Sequence, residues 1–170
     1  MRTPEEERYV HLQFCSDDLN SAWWLLGEIK RQGDNPLVGA AFQYAVIAYA
    51  RPFKTSYGAL EPRTKLRLDP SHVPERYRGL HDRLLTTRDR IIAHRDVGVW
   101  NPKLSVFEAH SGRNQAALVY NVIHGTEELP NVDAIIEAIE ATLDSVYSEL
   151  ELRKSNLPLS SHRADPGMLS

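Results

Sequence analysis

Apolar residues recur every three to four positions in three stretches of this chain, and such spacing predicts amphipathic helices. The stretches run from about Ser16 to Arg31, from Pro74 to His94 and from Val132 to Lys154. A fourth stretch, from Pro36 to Ala50, is nearly all apolar, which is typical of a helix buried at the centre of a bundle. We expect this helix to end before Pro52, because proline disfavours helical geometry in the preceding residue.

Between Val97 and His124 the spacing changes to the alternation that is typical of β-strands. The alternating residues are Leu104 and Val106, followed by Ala117, Val119, Asn121 and Ile123. Residues 110–114 lie between the two runs and have the composition of a turn. We therefore predict a mainly α fold, a four-to-five-helix up-and-down bundle with a small inserted β-hairpin.

The bundle is predicted to form a single domain over residues 1–154, with the hairpin inserted at about 97–124. A chain of 170 residues is long enough for one domain with its own core. Residues 52–73 are rich in proline and basic side chains and are predicted to form a long connection between helices. Residues 155–170 contain several prolines and serines, which are typical of a flexible tail.

The composition, with 42% hydrophobic and 25% charged residues, is ordinary for a globular protein. No apolar run approaches the roughly 18–20 residues that a membrane span needs, so we expect no membrane association. The first residues are acidic and contain no hydrophobic signal region. The single cysteine, Cys15, excludes an intrachain disulfide framework and cysteine-rich zinc modules. We expect a cytoplasmic protein.

The net charge of −3 is distributed unevenly. Residues 51–95 carry eleven Lys and Arg against five Asp and Glu, whereas the segments on both sides are acidic. Such a basic block can attract a phosphate backbone. It can equally be a solvated face that pairs with the acidic carboxyl-terminal helix, and the charge alone does not separate these interpretations.

The basic block contains the stretch RDRIIAHRD at residues 88–96. At about 100° per residue, Arg88 lies about 40° from Leu84 on the apolar stripe of the third helix, and His94 lies about 80° to the other side. Arg90 is the neighbour of His94 on that flank. An unpaired arginine at the edge of an apolar face is costly, so this placement suggests a role in function.

The pattern Arg88-Asp89, followed by four further residues and His94, resembles the motif of the HEPN superfamily of nucleotide-binding domains. That motif is an arginine, commonly followed by Asn, Asp or His, and a histidine after four to six intervening residues. HEPN domains are small helical bundles that carry the motif towards the end of a late helix. The resemblance covers roughly residues 16–152.

The resemblance implies a metal-independent endoribonuclease of a toxin–antitoxin or phage-defence system, in which two subunits bring their motifs together. We therefore expect a homodimer whose interface includes the third helix, RNA as the substrate, and an antitoxin or other regulatory protein as a partner. Arg88 would hold the phosphate, His94 would transfer a proton, and Asp89 would orient one of them. In HEPN toxins controlled by nucleotidyltransferases a tyrosine commonly follows two positions after the histidine. Here Asp96 stands there, so the resemblance does not extend to that form of control.

Arg90, Arg51 and Tyr49 are predicted to bind the substrate in the same cleft. We expect no cofactor, and no metal site, because the histidines lack the spacing of metal ligands. Tyr49 and Arg51, together with Tyr44, could instead be core aromatic side chains beside a terminal cation.

Three further interpretations are compatible with the same residues. His94 could cap the end of its helix, where a cation favours the helix dipole. Arg88 could pair with a buried carboxylate of Asp17, Asp18 or Glu28. The whole bundle could be a non-catalytic module that binds a partner protein or a nucleotide through the same cleft.

Overall fold

The computed structural model describes residues 3–33, 35–60, 63–92, 97–108, 113–120 and 124–157. It confirms a mainly α fold with a small β insertion. The helices are α1 (Pro4–Gln32), α2 (Val38–Ala50), α3 (Arg78–Thr87), α4 (Val97–Trp100) and α5 (Val132–Lys154), and the strands are β1 (Ser56–Tyr57), β2 (Lys65–Leu66), β3 (Lys103–Glu108) and β4 (Asn114–Val119).

Helix α1 begins at Pro4, well before the predicted start at Ser16, which itself lies buried inside the helix. A capping box explains the early start. The Thr3 hydroxyl accepts a hydrogen bond from the Glu6 backbone N–H at 3.2 Å, and the Glu6 carboxylate accepts one from the Thr3 N–H at 2.5 Å. The helix stops at Gly33, whose φ of 57° favours glycine.

The core lies where α1 packs against α2 and α5. Helix α5 runs antiparallel to α1, because an ion pair joins Lys30 to Asp133 at one end and Arg153 contacts Glu5 at 3.0 Å at the other. The observed bounds of α5 match the predicted ones. Helices α1, α2, α3 and α5 all contribute to the largest fully buried side chains, which include Leu19, Phe42, Tyr49, Leu84, Ile135, Ile139 and Val146.

Helix α2 is the apolar helix of the sequence, but it is not buried on every side as predicted. Leu37, which precedes it, is 69% exposed, and Tyr44 in its middle is half exposed. The opposite side carries Phe42 and Tyr49, which are buried. A 3₁₀ turn over Arg51–Phe53 follows the helix directly, as expected from Pro52.

The predicted long connection after Pro52 contains the short antiparallel pair of β1 and β2. Glu7 of α1 fastens this segment to the bundle. Its buried carboxylate accepts hydrogen bonds from the backbone N–H groups of Ala59 at 2.5 Å and Leu60 at 3.1 Å, and from the Thr64 hydroxyl at 3.1 Å. Gly58 passes so close to this carboxylate that a Cβ there would overlap it.

The predicted third helix is divided into three parts. A 3₁₀ turn over Glu75–Tyr77 precedes α3, and a π-helical turn over Arg88–Ile92 follows it. The expectation of one regular helix from Pro74 to His94 is therefore wrong. Residues 93–96 lie outside the described residues, so the predicted helix end at His94 stays a prediction.

The predicted hairpin is present as β3 and β4, which pair antiparallel with Lys103 opposite Val119 and Glu108 opposite Asn114. The second strand begins earlier than the sequence pattern predicts, and β4 ends at Val119. Residues 109–112, which include part of the predicted turn, and residues 121–123 of the predicted second strand lie outside the described residues, as do residues 158–170 of the predicted tail. Nearly all hairpin side chains are exposed. Across the described ranges we find no helix with the length and apolarity to cross a membrane.

Candidate functional site

The motif residues Arg88, Asp89 and Arg90 lie in the π-helical turn at the end of α3. Leu84 and Leu80 anchor α3 in the core, one and two turns before the motif. A π turn contains one residue more per hydrogen-bonded ring than an α-turn, so it rotates and displaces the residues that follow. The angles counted at 100° per residue therefore do not apply beyond Arg88. Such turns occur frequently at functional sites.

The carboxylate of Asp89 lies between two cations that come from different parts of the chain. Its Oδ1 accepts a hydrogen bond from Arg88 Nη1 at 2.9 Å, and its Oδ2 accepts one from Lys54 Nζ. Partial burial raises the pKa of Asp89, but the hydrogen bonds and charges of Lys54 and Arg88 outweigh this effect and hold the pKa below its ordinary value. Asp89 is therefore ionised at neutral pH, and the three side chains carry one net positive charge.

The Arg88 side chain is partly buried, with 30% of its surface exposed. Its Nε atom is fully buried and has no hydrogen-bond partner within the described part of the chain. Two of the carboxylates that could have paired with it are engaged elsewhere: Asp18 contacts Arg51 Nη1 at 3.1 Å, and Glu28 pairs with Arg31. Arg88 is thus partly buried, and neither Asp18 nor Glu28 of α1 forms an ion pair with it.

Lys54 is the member of this cluster that could not be recognised from the sequence. It follows the 3₁₀ turn that ends α2, and its two preceding residues, Pro52 and Phe53, are buried. The Phe53 ring lies 4.5 Å from the ring of His81 on α3, centroid to centroid. This contact holds the end of α2 against α3 and so brings Lys54 to Asp89. The basic composition of residues 51–95 was the only signal in the sequence that included Lys54.

The structure places Tyr49 in the core, only 1% exposed, and not in a cleft. Its hydroxyl and Nδ1 of the buried His81 are 2.8 Å apart and share a hydrogen bond. Burial, with a smaller contribution from the charge of Asp82, raises the pKa of Tyr49, and burial lowers the pKa of His81. Both groups are therefore neutral, and the core interpretation of Tyr49 is the one that the structure supports.

Arg51 and Arg90 lie on the surface. The Arg51 guanidinium pairs with Asp18 and lies 5.6 Å from the centre of the Tyr44 ring, so it is held by α1 and α2. The residues that the structure brings together at the motif are Arg88, Asp89 and Lys54. His94, the predicted proton-transfer residue, lies outside the described residues.

A groove of about 470 Å³ lies beside the motif and includes Ile91. Its remaining lining residues are Asp82, Arg83, Thr86, Thr87, Glu127 and Glu128. Three of these side chains are acidic and only that of Arg83 is basic, and its Nε donates to Glu128 at 2.5 Å. The groove is therefore unsuited to a polyanion. Within the described ranges no three His, Cys, Asp or Glu side chains are grouped so that they could hold a metal ion.

Comparison of the chain with protein-family models, with curated proteins and with solved structures finds no match. Any function assigned to this chain therefore depends on the cluster of Lys54, Arg88 and Asp89 and on the motif to which it belongs.

Proposed function

We propose that this chain is a metal-independent endoribonuclease of the HEPN type that acts as a homodimer. The observation that carries the proposal is the state of Arg88. One Nη atom is held by Asp89, whereas Nε is buried without an acceptor among the described residues. A guanidinium binds phosphate, like carboxylate, with two parallel hydrogen bonds, and a phosphate oxygen that entered this buried position would supply the acceptor that Nε lacks.

The charge of the cluster supports the same substrate class. Lys54 and Arg88 carry two positive charges against one negative charge on Asp89, whose pKa is held low. The excess positive charge lies at a partly exposed position, where it attracts a phosphodiester and stabilises the additional negative charge of a phosphorane transition state. Asp89 fixes the guanidinium before the substrate arrives, which is the preorganisation that such stabilisation needs.

The proposed reaction cleaves RNA through its own 2′-hydroxyl. The 2′-oxygen attacks the adjacent phosphorus and gives up its proton to His94, while the bond from phosphorus to the 5′-oxygen breaks. The departing 5′-oxygen takes a proton from the second histidine, which the other subunit supplies. The products are a 2′,3′-cyclic phosphate and a 5′-hydroxyl. Histidine suits both roles because it titrates near neutral pH.

The test is cleavage of a single-stranded RNA by purified protein in excess EDTA, followed by analysis of the ends. We expect cyclic-phosphate ends from the wild type and a large loss of rate in Arg88→Ala and His94→Ala. Arg76→Ala, which changes an exposed arginine in the turn before α3, is the matched control and should cleave normally. Cleavage that requires added divalent ions, or that persists in Arg88→Ala, would contradict the proposal.

The dimer is tested separately. Two copies that join around residues 88–94 should scatter light as a particle of about twice the chain mass of 19.3 kDa at micromolar concentration. A monomer at all concentrations would leave one histidine per site, which is too few for the proposed proton transfers.

The proposed biological context is a toxin–antitoxin or phage-defence system, with an antitoxin or similar protein restraining the enzyme. Expression of the wild type without its partner should then arrest growth, and expression of Arg88→Ala should not. Equal growth of both strains, with equal protein levels, would contradict this biological context but would not bear on the reaction in vitro.

One observation favours the alternative of a non-catalytic binding module: Asp89 already provides Arg88 with an anion. That alternative predicts that the protein retains an oligoribonucleotide or a nucleotide on a filter without cleaving it. Binding that is lost in Arg88→Ala, with no cleavage by the wild type, would select this alternative.

A further inference from the structure

The cluster assigns a role to Lys54, which lies outside the motif and 35 residues away from Asp89 along the chain. We propose that Lys54 is a positioning residue: it holds Asp89 from the side opposite Arg88 and thereby fixes the Arg88 guanidinium for a phosphodiester. This inference rests on the proposed function for its substrate, but its geometric part can be measured without any substrate.

The two oxygens of the Asp89 carboxylate bind different cations. Oδ2 accepts from Lys54 and Oδ1 accepts from Arg88, so the carboxylate plane is fixed by both cations at once. Asp89 is adjacent to Arg88 in the same π turn, so a contact with Arg88 alone would leave the carboxylate free to rotate about its own side-chain bonds. Lys54 removes that freedom because it approaches from another element. The orientation of Arg88 therefore depends on Lys54 through the carboxylate that the two cations share.

Lys54 can act in this way because its own backbone is well anchored. Its N–H donates to the Arg51 carbonyl at 3.0 Å, and the carbonyl of buried Pro52, two residues earlier, accepts from the Leu68 N–H at 2.7 Å. Phe53 packs on both Tyr49 and His81, with ring centroids 5.6 and 4.5 Å away. The Lys54 side chain is itself only 32% exposed, which limits the range of rotamers available to it.

The charge of Lys54 also contributes to the lowered pKa of Asp89. Partial burial raises the pKa of this carboxylate, and Lys54 is one of the two cations that outweigh this effect and lower it. A protonated Asp89 would hold Arg88 only weakly, because a neutral acceptor forms a weaker hydrogen bond with a guanidinium than a carboxylate does. Lys54 thus extends to lower pH the range in which Asp89 is charged and holds Arg88 firmly.

The test compares Lys54→Met, which removes the charge at similar length, with Lys54→Arg, which keeps it. Lys65→Met changes an exposed lysine of β2 and is the matched control. Carbon-13 NMR titration of the Asp89 carboxyl should give a raised pKa in Lys54→Met and a pKa near that of the wild type in Lys54→Arg and Lys65→Met. The buried Arg88 Nε–H should exchange with solvent faster in Lys54→Met only.

The kinetic readout uses the RNA cleavage assay in EDTA. We expect Lys54→Met to lower kcat by about ten- to a hundredfold with a smaller change in KM, since a misplaced catalytic group costs rate on this scale. Lys54→Arg should recover most of the loss. A purely structural role would not produce recovery by charge together with a shifted Asp89 pKa.

The outcomes separate this inference from the proposed function. An unchanged Asp89 pKa and unchanged Arg88 exchange in Lys54→Met would overturn the role of Lys54, whatever the cleavage rates. Shifted NMR signals with undiminished cleavage would overturn it as well. If the wild type cleaves no RNA while the NMR signals shift as expected, the positioning of Arg88 is upheld and the ribonuclease proposal fails. Should Lys54→Met not fold, Lys54→Gln serves instead, because it keeps a hydrogen-bond donor without the charge.

Discussion

Replacement of Arg88 by alanine is expected to change the free energy of unfolding by no more than about 1 kcal/mol. The variant loses one ion pair to Asp89, and both side chains of that pair are partly exposed. Solvent screening limits pairs of this kind to about 0.2–1 kcal/mol. Removal of the buried Nε, which has no acceptor within the described residues, offsets this loss, since an unsatisfied buried donor costs about 1–3 kcal/mol.

Arg88→Ala does not leave the Asp89 carboxylate without a cationic partner. Asp89 keeps Lys54 as its partner, so the penalty of about 3–5 kcal/mol for breaking a buried pair does not apply. Asp89→Asn is different, because it removes the negative charge that lies between Lys54 and Arg88 and leaves two cations side by side. We expect that variant to lose about 1–2 kcal/mol, more than Arg88→Ala.

Urea denaturation at pH 7 measures both variants, and a double-mutant cycle isolates the coupling between Arg88 and Asp89. We expect a coupling energy below about 1 kcal/mol together with a large loss of RNA cleavage in Arg88→Ala. A cost of about 3 kcal/mol or more for Arg88→Ala, the scale of a broken buried pair, would refute the reasoning. It would mark Arg88 as a structural residue and favour the non-catalytic alternative.

Three further predictions concern stability. Glu7→Ala should cost about 2–4 kcal/mol in urea denaturation, because three donors of residues 59–64 lose a charged acceptor, whereas Glu5→Ala on the exposed side of α1 should cost less than about 1 kcal/mol. Tyr49→Phe should cost about 1–3 kcal/mol by leaving buried His81 without this hydrogen bond, and an unchanged melting curve would contradict it. The pKa of Asp89 is lowered on folding, so its contribution to the free energy of unfolding is complete above its ordinary pKa of 3.8 and is lost as pH falls through the folded value. Urea denaturation between about pH 5 and 2 should therefore show a smaller decline of stability in Asp89→Asn than in the wild type.

Much of the fold could be predicted from the sequence because helical and strand periodicity are local properties. The pattern of apolar residues predicted the observed bounds of α5 and located the hairpin. The start of α1 was missed although its signal is local as well. Thr3 followed by Glu6 is the spacing of a capping box, but the apolar pattern that predicts the helix from Ser16 does not include these polar residues.

The candidate site could be predicted only in part. The short motif identified Arg88 and Asp89, because a cation beside an apolar stripe is visible along one helix. It could not identify Lys54, because the packing of α2 against α3, through contacts such as that of Phe53 with His81, brings the end of α2 to the motif. Nor could it separate Tyr49, which is buried, from Tyr44, which is half exposed, because an all-apolar helix does not show which of its sides meets the core.

Local sequence patterns are enough to predict most of the secondary structure, the mainly α class and the presence of a cationic motif at the end of α3. Each of these follows from residues that are close together along the chain. Only the folded chain shows that Arg88 pairs with Asp89 and not with Asp18 or Glu28 of α1, that Lys54 completes the cluster, and that a π turn carries the motif. These features depend on which side chains, distant along the chain, meet when the helices pack. The free energy of that packing cannot be read from any local stretch of the sequence.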